Sequence, residues 1–236
     1  MREDSCKFTV EFNIVDPIDT SRILEVHNLL VKSFPPGQVE DFPAFLQSTA
    51  SAIDFEAVPV VLTASISGHL VGVIIGNYLS HINIGMILYA AVHTGSRRRG
   101  IYSAMRRQLI EIFKSKSEHA GSPNPDFIVS EVDPDGIVYK LYRQDWQAFV
   151  APFDYWQPAT QGLSSRRMKL VLQPLQQNSQ PNNHWLKNLI SNIYTKIYRL
   201  SDPEGDPDYQ RVIQSFEAVE THRKSLVIPQ EEYTTH

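Results

Sequence analysis

Three consecutive arginines and a glycine, Arg97-Arg98-Arg99-Gly100, stand between an apolar run and a stretch of helical periodicity. The apolar run, residues 86–92 (MILYAAV), is long enough for a strand buried on both faces. A short polar turn follows, His93-Thr94-Gly95-Ser96. From Ile101 onward, Met105, Leu109, Ile112 and Phe113 recur on one helical face. The first N–H groups of a helix have no partners within it, and the helix dipole adds positive charge at that end. A basic, glycine-containing turn feeding a helix start is therefore suited to an anion such as a pyrophosphate. Two better-known phosphate loops are excluded by spacing, because neither G-x-x-x-x-G-K-[ST] nor G-x-G-x-x-G occurs.

Other elements must hold this turn in place. Residues 8–15 alternate like a half-buried strand until Asp16-Pro17 breaks them. Asp19 or Thr20 can cap a helix bearing Ile23, Leu24, Val26, Leu29, Leu30 and Val31, which Phe34-Pro35-Pro36-Gly37 ends. A short helix over residues 39–48 would turn Phe42, Phe45 and Leu46 inward. Residues 58–66 and 70–79 form a hairpin through Ser67-Gly68-His69. After the basic-turn helix, residues 127–132 form a strand, and Asp133-Pro134-Asp135-Gly136 can cap a helix over residues 137–146. Strand, helix and strand over residues 86–132 imply a parallel pair with a right-handed crossover. Strands over residues 149–155 and 168–172 complete the sheet.

The stretch 92–102 resembles the acyl-CoA signature of the GNAT superfamily of N-acyltransferases, [Q/R]-x-x-G-x-[G/A] after a central strand. Arg97 and Gly100 match it, and Tyr102 stands where Gly or Ala is usual. Residues 132–143 are similar to a second family segment, N-x-x-A-x-x-L-Y. Leu141 and Tyr142 match, while Asp135 replaces the Asn and Val138 the Ala. The Gly-Phe that commonly follows is met loosely by Asp145-Trp146, and Met168-Lys169-Leu170 resembles the M-x-L closing strand. The resemblance spans residues 8–175. It implies an α+β or α/β fold: a mixed central sheet of about seven strands with a splayed parallel pair, flanked by helices.

Acetyl-CoA or a longer acyl-CoA is the cofactor so implied. The backbone of Ala90, Ala91 and Val92 would pair with its pantetheine arm. Arg97 and the amides of Arg98, Arg99, Gly100, Ile101 and Tyr102 would hold the pyrophosphate. Acyl transfer to an amine needs a deprotonated amine, a polarised carbonyl and a proton for the leaving thiolate. Tyr142 matches the family tyrosine that supplies that proton, with Tyr139, one turn earlier, as its substitute. Two residues compete for the base: Glu131 at the end of its strand, and His93 at the end of the central strand. Gly76 and Gly85 leave room behind the thioester for a longer chain. Alternatives of another class are a non-catalytic acyl-CoA-binding module and an S-acyltransferase acting on a carrier-protein thiol.

Composition narrows the partners. The 236 residues suit one domain with an appendage, or two small domains, and 42% of them are hydrophobic, enough for a core. A net charge of -4 argues against a nucleic-acid binder and faintly for a cationic acceptor, an amine-bearing small molecule or peptide. The single cysteine, Cys6, allows no internal disulfide, and the eight histidines show no metal-ligand spacing. Ser103, Ser164 and Ser165 have no triad context. No apolar run reaches membrane-spanning length and the polar start is no signal peptide, so a soluble, cytoplasmic protein is expected.

At Pro174 the composition shifts to Gln, Asn and Pro, the mark of a linker. We therefore expect a domain over residues 1–175 and a helical extension over 176–236. In the extension, Trp185, Leu189, Ile193 and Tyr194 follow one side of a helix over residues 185–200, widened by Leu186, Ile190, Ile197 and Tyr198. A weaker helix over residues 209–222 follows. So wide a stripe must be covered, because an isolated helix of this length is marginal in water. The core is the first choice of cover, a second subunit in a homodimer the next, and the wall of an acyl tunnel the third.

Overall fold

The structure is a computed structural model that describes residues 9–50, 56–145, 148–160, 162–176 and 179–226. Cys6, Phe8 and Trp146 lie outside the described residues. β1 (Val10–Ile14) leads to α1 (Thr20–Ser33), whose first turn is capped by Asp19 accepting from the Arg22 amide at 3.0 Å. α2 (Phe42–Ala50) follows after Gly37, which turns the chain with φ +74°. β2 (Ala57–Ile66) and β3 (His69–Leu79) are joined through Ser67 and Gly68, both at positive φ, the two-residue turn whose twist suits a hairpin. β4 (Ile84–Val92), α3 (Ile101–His119) and β5 (Phe127–Val132) make the expected parallel crossover. α4 (Ile137–Asp145) comes next.

One expected strand is two. β6 (Phe149–Val150) and β7 (Tyr155–Gln157) lie end to end on the same edge of β8 (Arg166–Pro174). Pro152, which has no N–H to give a ladder, stands in the break. Among the described residues the sheet therefore has eight strands, in the order β1-β2-β3-β4-β5-β8-β6 with β7 also on β8. All pairings are antiparallel except β4 with β5.

Helices cover both faces. α3 packs Ile101, Met105, Leu109 and Phe113 against β2, β3 and β4 on one face, and α4 lies against β5 and β8 on the same side. On the other face, α1 and α2 cover β2 to β4. The rest of that face is covered by the C-terminal helices. α5 (Asn183–Asn192) is capped by Asn182, continues as a π turn over Ile193–Ile197, and is followed by α6 (Pro207–Leu226). Leu189, Ile190, Ile193 and Tyr194 are completely buried there in one cluster with Met86, Val129, Leu170 and Tyr155. The apolar stripe thus lies on the sheet of its own chain. Among the described residues, no helix is long and apolar enough to cross a membrane.

Candidate active site

The parallel ladder between β4 and β5 stops at Ile87 and Ser130. Beyond it β4 runs on along β3, while Glu131 and Val132 stay paired with β8. The parting point carries a bulge. β3 pairs Gly76 with Ile87 and Ile75 with Tyr89, so Leu88 is the extra residue, and bulges bend their strands. A cleft of about 1100 Å³ opens between the strands. It runs through the sheet, from the start of α3 on one face to the space bounded by α1, α2 and the π turn on the other.

The free edge of β4 has a definite polarity. The His93 amide donates to the Val71 carbonyl at 2.8 Å. By antiparallel alternation Ala91 and Tyr89 also turn their backbone groups to β3, and those of Ala90 and Val92 face the gap. Of the three residues expected to line the arm, Ala91 is the one whose backbone is engaged elsewhere. The Val92 carbonyl accepts from Arg97 Nε at 3.0 Å, which folds the arginine back along the strand end.

At the basic turn, Arg98 and Gly100 have positive φ, 64° and 74°, and Gly100 is the N-cap of α3. A Cβ at Gly100 would meet nothing within 4 Å, so the backbone there faces open space. Arg97, Arg98, Gly100, Ile101, Tyr102 and Ser103 line the cleft; Arg99 is exposed outside its lining. Ile101 offers its amide while its side chain is buried in the α3 cluster. The Tyr102 side chain, bulky where the resembled family has Gly or Ala, turns inward. Burial pushes its phenol up, and it is hydrogen-bonded to Tyr142 and to Arg106.

Side chains alternate along β5, so neighbouring residues reach the opening from opposite faces of the sheet. On the α3–α4 face, the Ser130 hydroxyl is 2.5 Å from the Tyr142 hydroxyl. Tyr142 is buried, and the guanidinium of Arg106 lies 5.5 Å from its ring centroid. On the other face, Glu131 receives hydrogen bonds from two phenols, Tyr155 on Oε1 and Tyr198 on Oε2. Burial pushes the Glu131 carboxyl up to about 7, against the pull of those two bonds.

The far side of the cleft adds Glu40, from the loop before α2. Its carboxyl is raised by burial, opposed by the Ser48 hydroxyl at 2.8 Å and by the nearby Arg199 charge. Tyr89 lies between the two acids. Its phenol is raised by burial and by the charges of Glu40 and Glu131.

Two expected roles are not gathered here. His93 is exposed, its ring beside Gly95, and it is not among the residues lining the cleft. Tyr139 packs with Val132 and Tyr142 and is likewise outside the lining. The room expected at Gly76 and Gly85 is filled: a Cβ at either would lie within 3 Å of the Phe113 ring. Conversely, Glu40, Ser130, Tyr155 and Tyr198 belong to the site and carry no motif. Tyr198 did leave a signal, since a tyrosine on an apolar helix face that must be buried has to find a partner for its hydroxyl.

No family model and no characterised protein sequence matches the chain. Solved structures do. A Bacteroides thetaiotaomicron protein assigned to the GNAT acetyltransferases superposes with a TM-score of 0.60 at 17% identity, covering 81% of this chain and 99% of its own. The diaminobutyrate acetyltransferase of Paenibacillus lautus, bound to L-2,4-diaminobutyric acid and coenzyme A, gives 0.51 at 14%, covering 73% and 99%. An Arabidopsis thaliana protein in complex with the bisubstrate analogue CoA-Ac-MVNAL gives 0.51 at 16%, covering 70% and 99%. The fold is that of the GNAT superfamily.

Proposed function

We propose, from that fold and its two-sided cleft, that the chain transfers an acyl group from acyl-CoA to an amine by direct attack. The observation that carries this is the placement of Glu131 and Tyr142 on opposite faces of one opening, where the parallel ladder ends. The thioester would lie along the free edge of β4, with Ala90 and Val92 offering backbone groups. Its pyrophosphate would sit on the amides from Arg98 to Tyr102. The amine would enter from the side of Glu40 and Tyr89. Glu131 takes the proton of the attacking nitrogen, a task that favours a base titrating near neutrality. The N–C bond forms, the C–S bond breaks, and Tyr142 returns a proton to the departing sulfur. Ser130 and Tyr102, both hydrogen-bonded to Tyr142, can restore that proton. Acetyl is the donor we assign, because Phe113 fills the space behind β4 that a longer chain would need. The acceptor is a small molecule or a peptide with a free amine.

The test is thiol release from acetyl-CoA over a panel of amines and amine-bearing peptides. We expect amine-dependent release, and Tyr142→Phe should lower kcat by roughly ten- to ten-thousand-fold with unchanged CoA affinity. Acylation of a carrier-protein thiol with no reaction on amines would reassign the chain as an S-acyltransferase. Tight acyl-CoA binding without turnover on any acceptor would make it a binding module.

A further inference from the structure

One of the two phenols that hold the Glu131 carboxylate comes from outside the part of the chain that resembles the family. We propose that Tyr198, carried by the C-terminal segment, is a positioning residue for acyl transfer: with Tyr155 it fixes the Glu131 carboxylate in the orientation that takes the acceptor's proton. The proposal rests on the N-acyltransferase reading above and adds that the catalytic unit includes the C-terminal segment.

Each oxygen of Glu131 receives one phenol, Tyr155 from β7 on Oε1 and Tyr198 on Oε2. Two donors on two oxygens fix the plane of the carboxylate. A carboxylate oxygen has two acceptor positions, so one remains on each for the N–H of an incoming amine. Both phenols are buried, and their hydroxyls end on the one carboxylate that faces the cleft from β5.

The backbone that carries Tyr198 is unusual in the same place. Over Ile193–Ile197 the helix widens to a π turn, closed by the Tyr198 amide on the Ile193 carbonyl at 3.0 Å. The extra residue moves Tyr198 off the position a continuous α-helix would give it, and π turns of this kind concentrate at functional sites. Arg199, next in the chain, has a left-handed φ of 57°, a conformation that costs energy in a non-glycine residue. The segment is tied across the cleft by Lys196 pairing with Glu56, and by Arg199 Nη2 at 3.4 Å from the Gln47 carbonyl.

The groups that face Glu131 are Tyr155 from β7, Tyr194 and Tyr198 from the C-terminal segment, and Tyr89 from β4. At the rim, Asp133 and Arg166 are paired with each other at 2.5 Å. Burial raises the carboxyl, and the two phenol bonds are the opposing influences.

The experiment measures kcat/KM against pH in the full chain with acetyl-CoA and an amine that the wild type acylates. Tyr198→Phe should move the acidic limb upward by about one pH unit and leave CoA affinity unchanged. A monofluorotyrosine at position 198, a stronger donor of nearly the same shape, should move the limb downward. Tyr194→Phe, which removes the bond to the Trp156 carbonyl, should lower Tm without moving the limb. If neither change at 198 moves the limb while Glu131→Gln abolishes it, the positioning role falls and the base stands. If Glu131→Gln leaves the limb in place, the base assignment falls and takes the role of Tyr198 with it. Should the phenylalanine variant fail to fold, the fluorinated side chain decides.

Discussion

At Glu131, burial and hydrogen bonding oppose each other, and burial wins. The folded carboxyl titrates near 7, above the ordinary value of 4.5. Between those two values the native chain binds more protons than the unfolded one, so stability falls as pH rises through that window. The full cost is present above pH 7. Glu131→Gln should therefore stabilise the protein at pH 8, by an amount on the order of a few kcal/mol, with the gain vanishing below about pH 4.5. Thermal melts of the two proteins across pH check this, and a constant difference at all pH values would contradict it. Activity should run the other way, since the same substitution removes the proposed base. The strand-end position of Glu131 was legible in the sequence. Its phenol partners were not, because Tyr155 and Tyr198 lie 24 and 67 residues away and meet it through packing alone.

Among the elements, the basic turn was the most legible, because glycine at a helix start between a strand and an apolar stripe has few geometries open to it. Gly100 carries two separable demands, a positive φ of 74° and an unobstructed face. A Cβ there meets no protein atom within 4 Å, so Gly100→Val pays only backbone strain in the free protein, about 1–2 kcal/mol. Against CoA the same side chain would stand between the backbone and the pyrophosphate. Calorimetry should show a loss of CoA affinity beyond tenfold, with a melting temperature lowered by only a few degrees. Equal affinity in both proteins would remove the turn from the binding site. Two elements escaped the sequence for identifiable reasons. Pro152 splits a strand whose apolar pattern runs straight through it. The π turn breaks a helical period only by one residue, and Trp185 to Tyr198 fit an ordinary α-helix nearly as well.

For the whole molecule, the sequence required that the C-terminal stripe be covered and left the cover open. The fold of the chain answers it: the stripe shares one buried cluster with β4, β5, β7 and β8. A chain ending at residue 175 would uncover Met86, Phe127, Val129, Leu170 and Leu172, all nearly or completely buried. It should aggregate or melt at markedly lower temperature. Where a solubilised form of it can be recovered, it should retain CoA binding, whose proposed contacts lie on β4 and α3, and show diminished turnover, because the hold of Tyr198 on Glu131 goes with the deleted segment. Scanning calorimetry and thiol release on the truncated chain test both halves of this. Undiminished turnover would mean that the extension is scaffolding alone.

The short ladder between β4 and β5 has a mechanical meaning. Four residue pairs, Ile84–Phe127 to Ile87–Ser130, stitch one half of the sheet to the other, and past them the seam is open. An extended molecule threaded along Ala90 and Val92 would serve as a surrogate rung, prolonging the stitching with atoms that do not belong to the chain. Cohesion of the seam and occupancy of the gap would then draw on one shared free energy. Whatever loosens the seam, a cavity under Met86 or heat, must loosen the grip on the guest by the same measure. A well-held guest would in turn lend the protein the interstrand bonds that its own fifth strand, by turning to β8, declines to make.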